Sequence, residues 1–113
     1  MRRFPSIKKN TDFRRIYHTG ISKAAGVLVM YVEDNDTESN RLGISASKRM
    51  GNSVVRHTFA RRIREIFRKH NNSTVQGKNI IIVARNHAAE ADFAKLEKDY
   101  LRLLQGHGLM KEN

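Results

Sequence analysis

The 113-residue chain has no cysteine, few acids and no long apolar run. Without thiols it can form neither a disulfide framework nor a thiolate-held zinc or iron–sulfur site, which fits a reducing, cytoplasmic setting. The longest apolar stretch, Ala24 to Val32, falls far short of the roughly 20 residues that a bilayer-spanning helix needs. The start, Met1-Arg2-Arg3-Phe4-Pro5, carries charge with no apolar segment behind it, so no export signal is expected. The shortage of acids is the most consequential lack. Only 11 Asp and Glu stand against 22 Lys and Arg, a net charge of +11. Such a surplus repels itself unless a polyanion answers it, and the cellular candidates are nucleic acids and anionic membrane surfaces.

What is present fits one domain spanning 1–113, large enough to bury a core without covalent staples. The charge within it is segregated. Six basic residues and one acid lie between Met1 and Arg15, and nine basic residues with only Glu65 lie between Arg41 and Lys69. Glu33 to Glu38 forms an acidic loop between them, expected to keep a turn soluble rather than to hold a metal. Segregation of this kind points to a binding face. Membrane binding is the weaker reading, because the apolar residues are needed for a core and leave no bulky face to insert.

Periodicity predicts the element order α-β-β-β-α-β-α. A basic arm over 1–10 precedes a helix over about 11–18, capped by Asn10 or Thr11, with Phe13, Ile16 and Tyr17 on one face and Gly20 as the stop. Short strands are expected at Ile21–Lys23 and Gly26–Val32, and Arg41–Ser47 alternates like a half-exposed strand whose outward residues are small. A long helix over about Ser53–His70 follows, then a fully buried strand at Ile80–Ala84. Asp92 caps a last helix carrying Phe93, Leu96, Tyr100, Leu103 and Leu104, and residues 106–113 are read as a short flexible tail.

The helix after residue 53 carries the strongest signal. With Val54 at zero, its large apolar residues Val55, Phe59, Ile63, Ile66 and Phe67 fall between about 100 and 220°. His57, Arg61, Arg64 and Arg68 fall between about 280 and 340°, nearly opposite. A guanidinium can grip phosphate through two parallel hydrogen bonds, and a merely solvated face would carry more acids at helical spacing. Before it, the turn at Gly51-Asn52 leads into a helix N-terminus, a second anion-friendly feature. The spacing is not that of a P-loop.

Lys48-Arg49-Met50-Gly51-Asn52-Ser53-Val54-Val55-Arg56, followed by Arg61 and Arg64, resembles the signature of the bacterial ribonuclease P protein component. The match continues through Phe13 to Tyr17 with Gly20, Leu28 to Tyr31, Leu42 to Lys48 and Ile80 to Arg85, covering about Phe4 to Leu104. This chain has His57, Thr58 and Ala60 where the family commonly has Asn, Arg and Lys; Arg62 and His57 are expected to recover part of that charge. The resemblance implies an α+β domain with a four-stranded sheet, about three helices and a left-handed β-α-β crossover, against the usual right-handed rule. It further implies a subunit that binds a large catalytic RNA and helps it remove the 5′ leader of precursor tRNA. The chemistry would belong to Mg2+ or similar divalent ions held by the RNA, with no cofactor on the protein and neither membrane nor DNA as a partner.

The candidate RNA-binding residues are Lys48, Arg49, Asn52, Arg56, His57, Arg61, Arg62, Arg64 and Arg68. For Phe13, Tyr17 and Tyr31, spacing alone allows either core packing or stacking on unpaired bases, with Ser45 leaving room for a backbone. The resemblance places the precursor leader against these four. No catalytic or metal-ligating constellation is found among the five histidines or the serines. A structural rRNA-binding protein of ribosomal type would share the charge without explaining an aromatic groove. A protein nuclease acting alone lacks the residues.

Overall fold

Two apolar stretches of strand length lie side by side at the centre of the fold. In the computed structural model, which describes residues 6–111, Leu28–Asp34 (β2) pairs antiparallel with Lys78–Ala84 (β4), Met30 standing opposite Ile82. Ile21–Ala25 (β1) adds antiparallel to β2 and Arg41–Ser45 (β3) adds parallel to β4, so the sheet order is β1-β2-β4-β3. Three helices, Asn10–Thr19 (α1), Ser53–His70 (α2) and Phe93–Gly106 (α3), complete the expected order. α2 connects the parallel neighbours β3 and β4, consistent with the left-handed crossover that the resemblance implies.

The period-two alternation of the strands divides their side chains between two cores. Leu28, Met30 and Val32 of β2 and Ile80 and Ile82 of β4 face α2 and α3, where Phe59, Ile63, Ile66, Phe67, Leu96, Tyr100, Leu103 and Leu104 complete the main core. On the opposite face Ile81 packs with Ile16 of α1 and Ile7, flanked by Phe13, Tyr31 and Val83. β4 is therefore covered on both sides, as its unbroken apolar run requires.

Several local expectations are corrected. Neither Asn10 nor Thr11 caps α1: the helix already includes Asn10, and the flanking Lys9 makes no side-chain cap bond. β3 ends at Ser45 rather than Ser47, because the chain turns there into a single 3-10 turn at Lys48–Met50. Glu33 and Asp34 belong to β2 rather than to a turn, and each is ion-paired, with Arg15 and Lys78 respectively. The segment after α3 is docked as far as Lys111. Leu109 is 4% exposed, its carbonyl accepts from the Val75 N–H at 2.7 Å, and the Lys111 N–H donates to Ser73 O at 2.9 Å. One apolar side chain with a buried seat suffices to anchor what composition marked as tail. Of the basic arm, residues 1–5 lie outside the described residues; Ile7 is tied to β3 by its N–H, which donates to Leu42 O at 2.8 Å.

His107, just beyond α3, donates from Nε2 to Met30 O at 3.0 Å. Burial lowers its pKa from the usual 6.5, and that outweighs the hydrogen bond. The folded state thus binds fewer protons than the unfolded one, so this contribution is complete above pH 6.5 and is lost as pH falls through the lower folded value. Melting temperature should decline between pH 7.5 and 5 in the wild type and decline less in His107→Gln. Parallel pH profiles for the two proteins would contradict this.

Candidate nucleic-acid interface

α2 starts where Asn52 accepts the Val55 N–H at 3.0 Å through its side-chain oxygen. That bond fixes the helix entry and leaves the Asn52 amide N–H2 for an outside acceptor. From there the wheel is realised. Phe59, Ile63, Ile66 and Phe67 are buried against the sheet, whereas Val54, outside the apolar stripe and beside Arg61 on the wheel, is 71% exposed. His57, Arg61 and Arg64 line one depression of about 360 Å³ with Ser53, Val54 and Thr58. Arg68 is exposed one turn beyond Arg64.

A deeper cleft of about 540 Å³ separates α2 from the segment 6–8. Arg56, His57 and Arg64 approach it from the helix, Lys8 from the other wall, and Leu42, Ile44 and Ala46 lie between. Arg56 Nε is buried here without a hydrogen-bond partner among the described residues. A guanidinium N–H beside a cationic cleft suits an anion oxygen, with which it makes a charge-assisted hydrogen bond.

A second cleft, of about 520 Å³, runs between α1 and the end of β3. Its lining is Asn10, Phe13, Arg14 and Tyr17 on one side and Ile44, Ser45 and Ala46 on the other. The two clefts share Ile44 and Ala46 in their linings, so they adjoin at the end of β3. Tyr31 supports the aromatic wall from behind: its ring meets that of Tyr17 edge-on, centroids 4.9 Å apart and planes at 68°, while Phe13 and Tyr17 are 6.1 Å apart. Phe13 is both core and wall. A Cβ at Gly43 would stand 2.9 Å from Phe13 Cζ, so the smallest residue of β3 is what lets this ring seat.

The structure does not gather all the candidates. Arg62 lies on another side of α2, where it donates to Ala91 O at 3.1 Å and lines a small cavity with Val55, Phe59 and Leu96. Arg49 lines a separate cleft of about 580 Å³ with Arg85, Asn86 and His87, and Lys48 is exposed on the 3-10 turn. Two cleft residues went unnoticed in the sequence, Lys8 and Arg14. For Arg14 a signal existed, since Asn10, Phe13, Arg14 and Tyr17 follow the i, i+3, i+4, i+7 spacing of one helix face.

Taken together, one cleft offers guanidinium and ammonium groups with no carboxylate in its lining, and the other offers flat rings beside small residues. The first suits phosphate, the second an unstacked base. Among the described residues no group of three or more His, Asp or Glu could hold a metal ion, and no helix is long and apolar enough to cross a membrane.

A family model described as Ribonuclease P matches residues 1–108. The ribonuclease P protein component of Natranaerobius thermophilus is 36% identical over 113 residues, covering 100% of this chain and 98% of that protein. That of Caldanaerobacter subterraneus is 40% identical over 106 residues, with 94% and 91% covered. Among solved structures, the RNase P protein of Staphylococcus aureus superposes with a TM-score of 0.87 at 35% identity, over 96% of this chain and 100% of that one.

Proposed function

The chain belongs to the ribonuclease P protein family, and we propose that it serves there as the RNA-binding subunit of a ribonucleoprotein whose chemistry the RNA carries out. As a protein component of ribonuclease P it takes part in tRNA processing and has an RNA partner. The finer reading is carried by one observation, the meeting of two chemically different clefts at Ile44 and Ala46.

In this reading Arg56, His57, Arg61, Arg64 and Arg68, with Lys48, Arg49 and the Asn52 amide nearby, hold the phosphates of the folded catalytic RNA. Phosphate contacts fix register and orientation without reading bases, which is what a scaffold for a structured RNA requires. The 5′ leader of precursor tRNA leaves that surface along β3 and enters the second cleft. There Phe13 and Tyr17 stack on unpaired bases, Tyr31 holds the Tyr17 ring, and Ser45 leaves space for the sugar–phosphate backbone. Divalent ions such as Mg2+ would be held by the RNA rather than by side chains of this chain, and would supply the chemistry of hydrolysis there. The protein raises affinity for the substrate that still carries its leader over the product that has lost it. Thr58 and Ala60 make no charged contact, and His57 substitutes for part of what they omit. The described residues act as one RNA-binding domain, extended by the basic residues at the start of the chain.

The test is photocrosslinking of a precursor tRNA whose leader carries a photoactivatable base, in the complex reconstituted with the cognate RNA. Adducts are expected at Tyr17 or Tyr31, and the purified chain alone should leave precursor tRNA uncut. Adducts confined to the α2 arginines would defeat the leader assignment. Cleavage by rigorously RNA-free protein would defeat the division of labour.

A further inference from the structure

Arg15 stands between Phe13 and Tyr17 in α1, yet its guanidinium turns to the sheet rather than to either cleft. Nε and one terminal nitrogen donate to Glu33 Oε1 at 3.2 and 2.8 Å, and the other terminal nitrogen donates to Asp12 Oδ1 at 2.8 Å. Glu33 is held in turn. It accepts from Asn79 Nδ2 at 3.2 Å on Oε1 and from Thr19 Oγ1 at 3.3 Å on Oε2. Asn79 is the residue directly opposite Glu33 in the β2–β4 register, and Tyr31 is two positions before Glu33 on the same face of β2. One carboxylate thus joins two adjacent strands to α1 at Arg15 and again one turn later at Thr19. Tyr17 lies between those two anchors, with its ring on Tyr31.

α1 needs such a fixture. It is ten residues long, has no side-chain cap, and its only buried residue is Ile16. A helix that short has little stability of its own, and one buried side chain acts as a pivot rather than a fixed orientation. Rotation about Ile16 would part the Tyr17 and Tyr31 rings and alter the gap between α1 and Ser45. The clamp also commits charge locally: in a chain with a net charge of +11, Arg15 pairs with two acids. Burial would raise the Glu33 pKa, but hydrogen bonds from Arg15, Asn79 and Thr19 outweigh it and leave the carboxyl below its usual range.

We propose that Arg15 and Glu33 are positioning residues for leader recognition, fixing the pose of α1 so that Phe13 and Tyr17 form the wall of the single-strand cleft without either clamp residue touching RNA. This rests on the reading of that cleft as the leader site.

The experiment uses complexes reconstituted with the cognate RNA and two precursor tRNAs, one with a long leader and one with a single leader nucleotide. Wild type, Arg15→Met, Arg15→Lys and Tyr31→Ala are compared, and ring-proton resonances of Tyr17 and Tyr31 are followed by NMR in the free proteins. Arg15→Met is expected to shift both sets of ring resonances and to weaken binding of the long-leader precursor several-fold. That loss should enter through KM with kcat unchanged and leave binding of the short-leader precursor as in wild type. Arg15→Lys should restore part of it. Unmoved ring resonances would overturn the proposal, as would equal losses on the two precursors, or a loss in Tyr31→Ala with none in Arg15→Met. If Tyr31→Ala itself leaves the long-leader precursor bound as tightly as before, the leader reading fails, and the positioning role falls with it.

Discussion

Replacing Arg61 and Arg64 together by alanine will weaken binding to the catalytic RNA and flatten the salt dependence of that binding by about 1.4 to 1.8 log units per tenfold change in salt, if each guanidinium holds one phosphate. The figure follows from counterion release, at roughly 0.7 to 0.9 per contact for single and double strands. Between 50 and 200 mM salt, the penalty should shrink by about tenfold, because the wild type loses the same contacts to competition. The slope is more informative than affinity at one salt concentration, since a variant that merely misfolds loses affinity at every concentration alike. Arg62→Ala is the matched control. Its guanidinium donates to Ala91 O across the α2–α3 junction, so its removal should lower stability by about 1–2 kcal/mol, as loss of a charged hydrogen bond does, with the slope retained. Salt titrations of RNA binding with all three proteins decide it. An unchanged slope in the double variant would mean that the stripe faces solvent in the complex.

The contrast between Arg62 and its neighbours also shows what periodicity can and cannot carry. A wheel places Arg61, Arg64 and Arg68 together because helix geometry depends only on spacing along the chain, and of the apolar stripe Phe59, Ile63, Ile66 and Phe67 are buried while Val55 is half-buried. The same geometry places Arg62 at about 80°, near the apolar stripe and away from the arginine row. The group that claims it, Ala91 O, lies 29 residues away, and no local pattern reports it. The aromatic wall was half legible for a similar reason. Phe13 and Tyr17 share a helical face by spacing, but their neighbours Ser45 and Ala46 arrive through the pairing of β3 with β4, a long-range register. The docked segment at Leu109 is the opposite case: a lone apolar residue among polar ones carries no period, so its seat against Val75 was invisible until the chain was folded. Clamps and seats formed by distant partners are the part of the design that a one-dimensional reading misses.

One such clamp has the largest expected effect on stability. Asp99 of α3 has a fully buried side chain whose Oδ2 accepts the Val27 N–H at 3.0 Å, while Oδ1 accepts from Lys95 Nζ at 3.1 Å. It thereby ties α3 to the hairpin turn between β1 and β2. The neighbouring Gly26 has φ +55°, a left-handed conformation, and a Cβ there would overlap the Asp99 carboxylate. Asp99→Ala should cost about 3 kcal/mol, because the Val27 N–H loses its acceptor and a cavity replaces the carboxylate, while the partly exposed Lys95 returns to water. Gly26→Ala in the wild type should cost about as much, through both the overlap and the strained backbone. With Asp99 already alanine the overlap is gone, and only the left-handed conformation remains to be opposed, at about 1–2 kcal/mol. The double variant should therefore be more stable than the sum of the single losses, by about 1–2 kcal/mol. Urea denaturation of the four proteins closes the cycle, and a Gly26→Ala cost that is identical in both backgrounds would show that the carboxylate does not occupy that space. Neither residue lines either cleft along β3. Below the unfolding transition, RNA affinity should then be the same in all four, separating the stability of the scaffold from the chemistry of its RNA-facing side.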